Sequence, residues 1–315
     1  CIAMAVPESV ADGCLGTDLS TGNRPVGIPE LEMAECSNQR IMGKMKELSV
    51  IIVTYNSEPD IYGCLEALFA HNDICDALEV IVVDNNSRDF QQMKEEITRL
   101  YGETVTVLSN SQNGGYGQGN NIGIRNATSP VIMIMNPDVR LVHISFKSIV
   151  ELYKTDVRVA LCGFKQVINK SGKRGISFAM LNHYSGLMRL LGGIIANRTN
   201  IFLWRYMYFA GACFCVRKSM FEQAGLFDEN IFLYGEENDI HYRIHHAFPK
   251  AHDIFKKDFV YLHLTEDRPH SETVVQRRIT SNEYVLQQQG YPKGTYIRSE
   301  EQRLKWNKRL FGNAK

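Results

Sequence analysis

Apolar and polar positions along this chain fall into blocks of two periods. LSVIIVTYN, residues 48–56, is a β-branched run that ends in polar residues. PDIYGCLEALFAH follows, with Ile61, Cys64, Leu65, Leu68 and Phe69 at helical spacing. LEVIVVDNNS (78–87) repeats the strand form and ends in an acid, asparagines and a serine. Phe90, Met93, Ile97 and Leu100 make the stripe of a second helix, and TVTVL (104–108) is a third strand. SNSQNGGYGQGNN reads as a glycine-rich loop leading into a short helix at NNIGIRNA. Val131 to Met135 is an unbroken apolar run, the pattern of a strand buried on both faces, and it stops at Asn136-Pro137-Asp138.

The order is β-α-β-α-β-loop-α-β. Continuous apolar strands separated by amphipathic helices predict an α/β fold with a doubly wound parallel sheet and helices on both faces. Ligands of such sheets sit outside the carboxyl ends of the strands. Thr54-Tyr55-Asn56, Asp84-Asn85-Asn86 and Asn136-Pro137-Asp138 are therefore expected to meet along one rim. Past residue 150 the rhythm loosens. VALCGF (159–164) reads as a strand, 169–200 as irregular or partly helical, and YFAGACFCVRKSMFEQAG as a strand and a helix that stops at Gly225. A helix opening with the acids of YGEENDIHYRIHHAF and a late strand DFVYLHL complete the pattern.

Length and composition narrow the reading. The chain has 315 residues, 44% of them hydrophobic and 22% charged, as in ordinary globular proteins. A formal net charge of zero argues against a general nucleic-acid binder, so no nucleic-acid partner is expected. None of the 8 cysteines forms a CxxC pair, and Cys213 and Cys215 alternate onto one strand face, as buried thiols of a reducing, cytoplasmic compartment would. No apolar run is long enough to span a bilayer. Residues 1–44 are rich in Gly, Pro, Ser, Thr and Asp, without sustained period or signal-peptide pattern. They are expected to be a poorly ordered tail or sequence from outside the natural gene, with Met45 a sensible start.

Three features carry chemistry. Asp138 and Asp84 end neighbouring strands, so two carboxylates are expected on one rim. Asp84 either caps the next helix or meets a ribose hydroxyl. GxGxxG and the P-loop are both missing, so nucleotide phosphates would need a divalent cation, and Asp138 is the obvious ligand. Glu236, Glu237 and Asp239 open one helix; crowded carboxylates raise one another's pKa, which suits a general base. Asp239 and Arg243 form an i,i+4 salt link. His241 and His245 stand one turn apart, the spacing of a zinc pair, but with no third ligand readable they are assigned to a surface face.

Taken in order, VIIVTYNS, VIVVDNNSRD, NGGYGQGNN, IMNPDV, GACFCVRKSMFEQAGLFDENIFLYGEENDIHYR and VYLHL resemble family 2 glycosyltransferases of the GT-A fold, above all the rhamnosyltransferase-like bacterial members. The resemblance covers roughly residues 47–265. It implies a single mixed, doubly wound sheet in a catalytic domain over 45–265, with a nucleotide-sugar half (45–150) and an acceptor half (151–265). Residues 266–315 are expected to form a basic helical extension; 290–315 hold seven Lys or Arg against two Glu. The resemblance assigns the nucleotide to Thr54, Tyr55, Asn56, Asp84, Asn86, Gly115 and Asn120. It assigns a divalent metal, Mn2+ or Mg2+, to Asp138 and His263. Asn136 replaces the first acid of the family's DxD motif. Glu237 matches the catalytic base, with Glu236 beside it, and Gly211 and Asp239 lie toward sugar or acceptor.

The implied reaction is inverting transfer from a nucleotide-diphosphate sugar, such as dTDP-rhamnose, to a saccharide or lipid-linked acceptor in surface polysaccharide synthesis. Residues 165–205 are expected to shape the acceptor pocket. The basic extension could lie on the inner face of an anionic membrane. Two readings stand beside it: a nucleotidyltransferase acting on sugar phosphates, which would want a basic loop where TYNSEPD stands, and a non-catalytic sugar-nucleotide-binding protein on the same fold.

Overall fold

The computed structural model describes residues 45–168, 172–264 and 272–312; the expected tail at 1–44 lies outside them. The first half follows the predicted alternation. β1 (Leu48–Thr54), α1 (Glu58–Phe69), β2 (Leu78–Asp84), α2 (Phe90–Tyr101), β3 (Val105–Ser109), α3 (Gly115–Asn126) and β4 (Val131–Met135) appear in turn. β5 (Val139–His143), α4 (Phe146–Thr155), β6 (Val159–Val167), β7 (Phe178–Met180), α5 (Gly186–Thr199) and β8 (Met207–Phe209) follow. β9 (Cys213–Arg217), α6 (Lys218–Gln223), α7 (Glu236–Ala247), β10 (His252–His263), α8 (Glu272–Gln288) and α9 (Thr295–Phe311) complete the chain.

Eight strands form one sheet in the order β3-β2-β1-β4-β9-β6-β10-β5. β1 to β4 run parallel where they pair, β9 is antiparallel to both its neighbours, and β10 pairs parallel to β6 and antiparallel to β5. This is the mixed sheet of the GT-A fold. The expectation of a single sheet needs one correction: β7 and β8 form a separate two-stranded ribbon. Strands of three residues carry too little pattern to be read from sequence.

β4 shows why the sheet has two covered faces. Val131, Met133 and Met135 enter one apolar core, Ile132 and Ile134 the other, and all five are at most 2% exposed. Burial of such side chains contributes roughly 1.5–3 kcal/mol each. α1, α2 and α4 cover the first face through residues such as Leu65, Ile97 and Phe146; α3, α6 and α7 cover the second through Ile124, Phe221 and Ile240. Cys213 and Cys215 share the first core, as their alternation predicts.

α3 departs from the sequence reading. GYGQG is its first turns, not a loop. A Cβ on Gly119 would fall 2.6 Å from Val53 Cγ1, and one on Gly123 2.4 Å from Ile51 Cγ2. These glycines let the helix lie close against β1, so packing outweighs their low helix propensity of about 1 kcal/mol each. The segment read as irregular or partly helical holds a 14-residue helix, α5, whose Ser185 caps it by accepting from Met188 N.

Candidate active site

The parallel register sets the rim. Thr54 pairs with Asp84, and Ile52 pairs with Met135, so the ends of β1, β2 and β4 lie side by side. Asp84 is fully buried. Its Oδ1 accepts from Ser87 N at 2.8 Å and its Oδ2 from Ser87 Oγ at 2.5 Å. Asp84 thus braces its own turn. Asn56 and Asn86, at φ of 49° and 70°, occupy the left-handed region that asparagine tolerates. Asn56 N donates to Ser87 Oγ at 2.8 Å, which binds the two turns together, while Tyr55 stands 48% exposed above them.

α3 docks its first turn on this rim. Asn85, named on the rim but given no role from sequence, donates from Nδ2 to Gly115 O at 2.9 Å. Asn120 is buried and bonds Tyr116 O within its own helix. Asn121, which sequence reasoning passed over, accepts from Phe227 N at 3.0 Å and donates to Phe227 O at 2.9 Å. Asparagine after asparagine in a helix is itself a signal, since it is a poor helix former kept where its amide bonds backbone elsewhere.

Asp138 lies past the end of β4, and His263 ends β10. The two meet with His263 Nε2 3.3 Å from Asp138 Oδ1, and Leu264 N donates to Asp138 O at 2.9 Å. One carboxylate and one imidazole side by side, with the His263 nitrogen making no hydrogen bond, are donors suited to a divalent cation. On the other side of the rim, Asn136 N donates to Ala212 O at 2.9 Å, which brings Gly211 alongside.

Gly211 cradles the base candidate. A Cβ there would lie 2.0 Å from Glu237 Oε1. Tyr234 and Gly235 both adopt left-handed backbone, φ 75° and 104°, and this kink aims the first turn of α7. Burial raises the Glu237 carboxyl above the usual range, against hydrogen bonds from the backbone N–H groups of Glu237, Gly211 and Gly235. Burial, then Glu237, raises Glu236 well above its ordinary value. The two acids differ in access: Glu236 is 2% exposed, whereas Glu237 opens onto a cavity of about 690 Å³. Burial raises the pKa of the Tyr261 hydroxyl well above its ordinary value, with Cys213, Asp138 and Glu237 adding to the shift.

The cavity is walled by β7, β8, α5 and the last two helices, with Phe178, Met180 and Leu190 among its apolar residues. Arg174, Arg189, Arg198, Arg278 and Arg303 line it against Glu237 and Glu300. Glu300 ion-pairs with Arg189, Arg278 and Arg303.

Two readings need correction. Asp239 does not join this cavity; Arg243 Nε and Nη2 hold its Oδ2 at 2.9 and 2.5 Å, and it lines a separate depression with Asn121 and Tyr242. The expected salt link accounts for it. His241 and His245 are not a surface face. His241 is 4% exposed, and Asp253 comes from β10 to stand 3.0 Å from a ring nitrogen of each histidine. The third donor was unreadable because it sits beyond a turn, on a different element.

Comparison with known proteins agrees with this architecture. A family model, Glycosyl transferase family 2, matches residues 49–225. The low-salt glycan biosynthesis hexosyltransferase Agl10 of Haloferax volcanii is 27% identical over 221 residues, 66% of this chain and 64% of that protein, so the chain spans less than two thirds of this relative's length. Among solved structures, the mannosyltransferase PcManGT of Pyrobaculum calidifontis, in complex with GDP-Man and Mn2+, superposes with a TM-score of 0.57 at 16% identity, covering 88% of this chain and 77% of that one. S. aureus TarS in complex with UDP gives 0.54 at 16%, covering 85% and 73%.

Proposed function

The chain belongs to glycosyl transferase family 2, and from that premise we propose that it transfers a sugar from a nucleoside-diphosphate donor to a saccharide acceptor with inversion at the anomeric carbon. The observation that carries this reading is Glu237: a carboxylate of raised pKa, cradled by Gly211 and opening onto a cavity, on a segment that the Asn136 N–Ala212 O bond ties to the Asn136-Pro137-Asp138 turn.

The nucleoside rests on the rim formed by Thr54, Tyr55, Asn56, the Asp84–Ser87 turn, Asn86 and the first turns of α3, Gly115 and Asn120. Asp138 and His263 would hold a divalent metal, Mn2+ or Mg2+, whose chemistry when bound is Lewis-acid neutralisation of the diphosphate. Glu237 accepts the proton of the acceptor hydroxyl while that oxygen attacks the anomeric carbon. The new carbon–oxygen bond forms as the bond to the diphosphate breaks, so no enzyme nucleophile is needed. Glu236, shut away from the cavity, does not take the proton.

The acceptor reading rests on the cavity wall. Five arginines against two glutamates favour an anionic acceptor. Met188, Ile195, Ile201 and Leu203 stand 41 to 60% exposed on and after α5, a helix that also lines the cavity. That pairing fits a saccharide carried on a lipid phosphate in surface polysaccharide synthesis. No described helix is long and apolar enough to cross a membrane, so contact with the lipid would be peripheral, through these side chains and the basic α9.

A thermal-shift screen of dTDP-rhamnose, UDP-sugars and GDP-mannose with and without Mn2+ tests the donor side, since a ligand specific to the native state raises its melting temperature. One nucleotide sugar that stabilises only with metal is expected. Transfer without pyrophosphate release would separate glycosyl transfer from nucleotidyl transfer. No stabilisation by any nucleotide sugar would sink the proposal.

A further inference from the structure

His241, His245 and Asp253 have no role in the reaction described above. The histidines sit one turn apart on α7, past its acidic start, and Asp253 is the second residue of β10, ten positions before His263. The three offer one donor atom each within 4.8 Å of one another. Asp253 Oδ2 faces His241 Nδ1 at 3.0 Å, and Asp253 Oδ1 faces His245 Nε2 at 3.0 Å. Donor atoms around a tetrahedral zinc ion sit roughly 3.3 Å apart, given metal–ligand distances near 2.0–2.2 Å. Both nitrogen–oxygen spacings are close to that value, and the whole set stays within 4.8 Å.

A plain hydrogen-bonded triad accounts for only half of the cluster. His245 bonds Asp253 Oδ1, but His241 Nδ1 and Asp253 Oδ2, both buried, make no hydrogen bond despite their 3.0 Å approach. Two lone-pair atoms so close and so poorly aligned for a shared proton are the arrangement that a cation between them resolves. The surroundings also suit a resident ion. Leu161 N donates to Asp253 Oδ1 at 3.3 Å, which orients the carboxylate. The indole of Trp204 stacks on the His245 ring at 4.6 Å and closes the outer side.

The geometry points to a second metal centre: His241, His245 and Asp253 bind a nitrogen-preferring divalent transition ion of the zinc class, separate from the donor site. Two imidazoles and one carboxylate match zinc, cobalt or nickel better than the oxygen-seeking Mg2+ and Mn2+ that suit Asp138 beside a diphosphate. The ion would fasten the second half of α7 to the start of β10, and so fix the helix whose first turn carries Glu237. It does not depend on the glycosyl-transfer reading.

The test is direct titration. Protein stripped with a chelator and returned to metal-free buffer is titrated with Zn2+, and with Co2+ as an optical probe. One equivalent is expected to bind, with the visible absorption of nitrogen-ligated Co2+ and a higher melting temperature. Asp138→Asn should leave that binding unchanged, which assigns it away from the donor site. Asp253→Asn and His245→Gln should weaken it by more than the ~10–100-fold typical of losing an outer-shell partner. His245 is at the rim of the cluster, 12% exposed, so its variant carries the test if the Asp253 variant does not fold. Failure of the wild-type protein to take up an equivalent at micromolar Zn2+, or uptake undiminished in His245→Gln, overturns the site.

Discussion

β10 meets a histidine–aspartate group at each of its ends. At the carboxyl end, His263 and Asp138 supply two donors at the rim of the sheet, beside the turns that end β1 and β2. At the amino end, two histidines and Asp253 supply three, and an indole stacks over one of them. The same residue types thus serve opposite ends. Two donors at an open rim would leave several coordination positions of a cation free; three donors beside a stacked indole would leave one position of a tetrahedral ion. The number of donors and the openness of the surroundings, rather than the identity of the side chains, separate the two.

Substitutions at the two ends should separate activity from stability. Glu237→Gln gives the largest effect: transfer falls by about 10²–10⁴-fold, the usual contribution of a positioned base, while donor binding measured by calorimetry stays near wild type. Equal turnover in that variant would remove Glu237 from its role. Asp253→Asn acts at the other end. Removing one member of a buried ionic group costs about 3–5 kcal/mol of stability, read by chemical denaturation, while turnover well below the melting temperature stays near wild type. Loss of turnover without loss of stability would reverse the assignment of the two ends. Gly211→Ala sharpens the picture of the base. Its methyl would meet Glu237 Oε1 at 2.0 Å, and displacement of the carboxylate should lower kcat by roughly 10²-fold with the fold intact.

The smallest expected effect concerns pH. Burial and Glu237 raise the folded-state pKa of Glu236 above the ordinary 4.5. A carboxyl shifted upward favours the folded state below its unfolded pKa and loses that contribution as pH rises through the folded value. Glu236→Gln carries no such loss. Its melting temperature relative to wild type should therefore climb from about pH 4.5 toward alkaline pH. A difference that stays flat across that range would show that Glu236 titrates normally. The same rise in Glu237 predicts that turnover increases with pH as the base ionises.

Much of the donor side was legible because it is local. β1, β2 and β4 are unbroken apolar runs, and their polar ends follow at once in sequence, so Asp84 and Asp138 could be placed on one rim from the pattern alone. α3 was misread as a loop because glycine has low helix propensity, while the reason for those glycines, contact with Val53 and Ile51, is tertiary. Asp253 was invisible as a partner of His241 because it arrives across a turn on another strand. The resemblance places Asp239 toward sugar or acceptor, yet Arg243 holds it elsewhere. Wherever a role depends on which distant element a side chain faces, periodicity carries no information.

The seam between α5 and α9 has a further consequence. A Cβ on Gly186 would fall 2.1 Å from Ser299 O and 2.2 Å from Arg303 N, so the two backbones touch. Tyr296, Glu300 and Arg303 are thereby inlaid in the chamber beside Glu237. Side chains exchanged along this face of the helix would therefore reshape the wall beside Glu237, while its backbone stays held by the contact with Gly186.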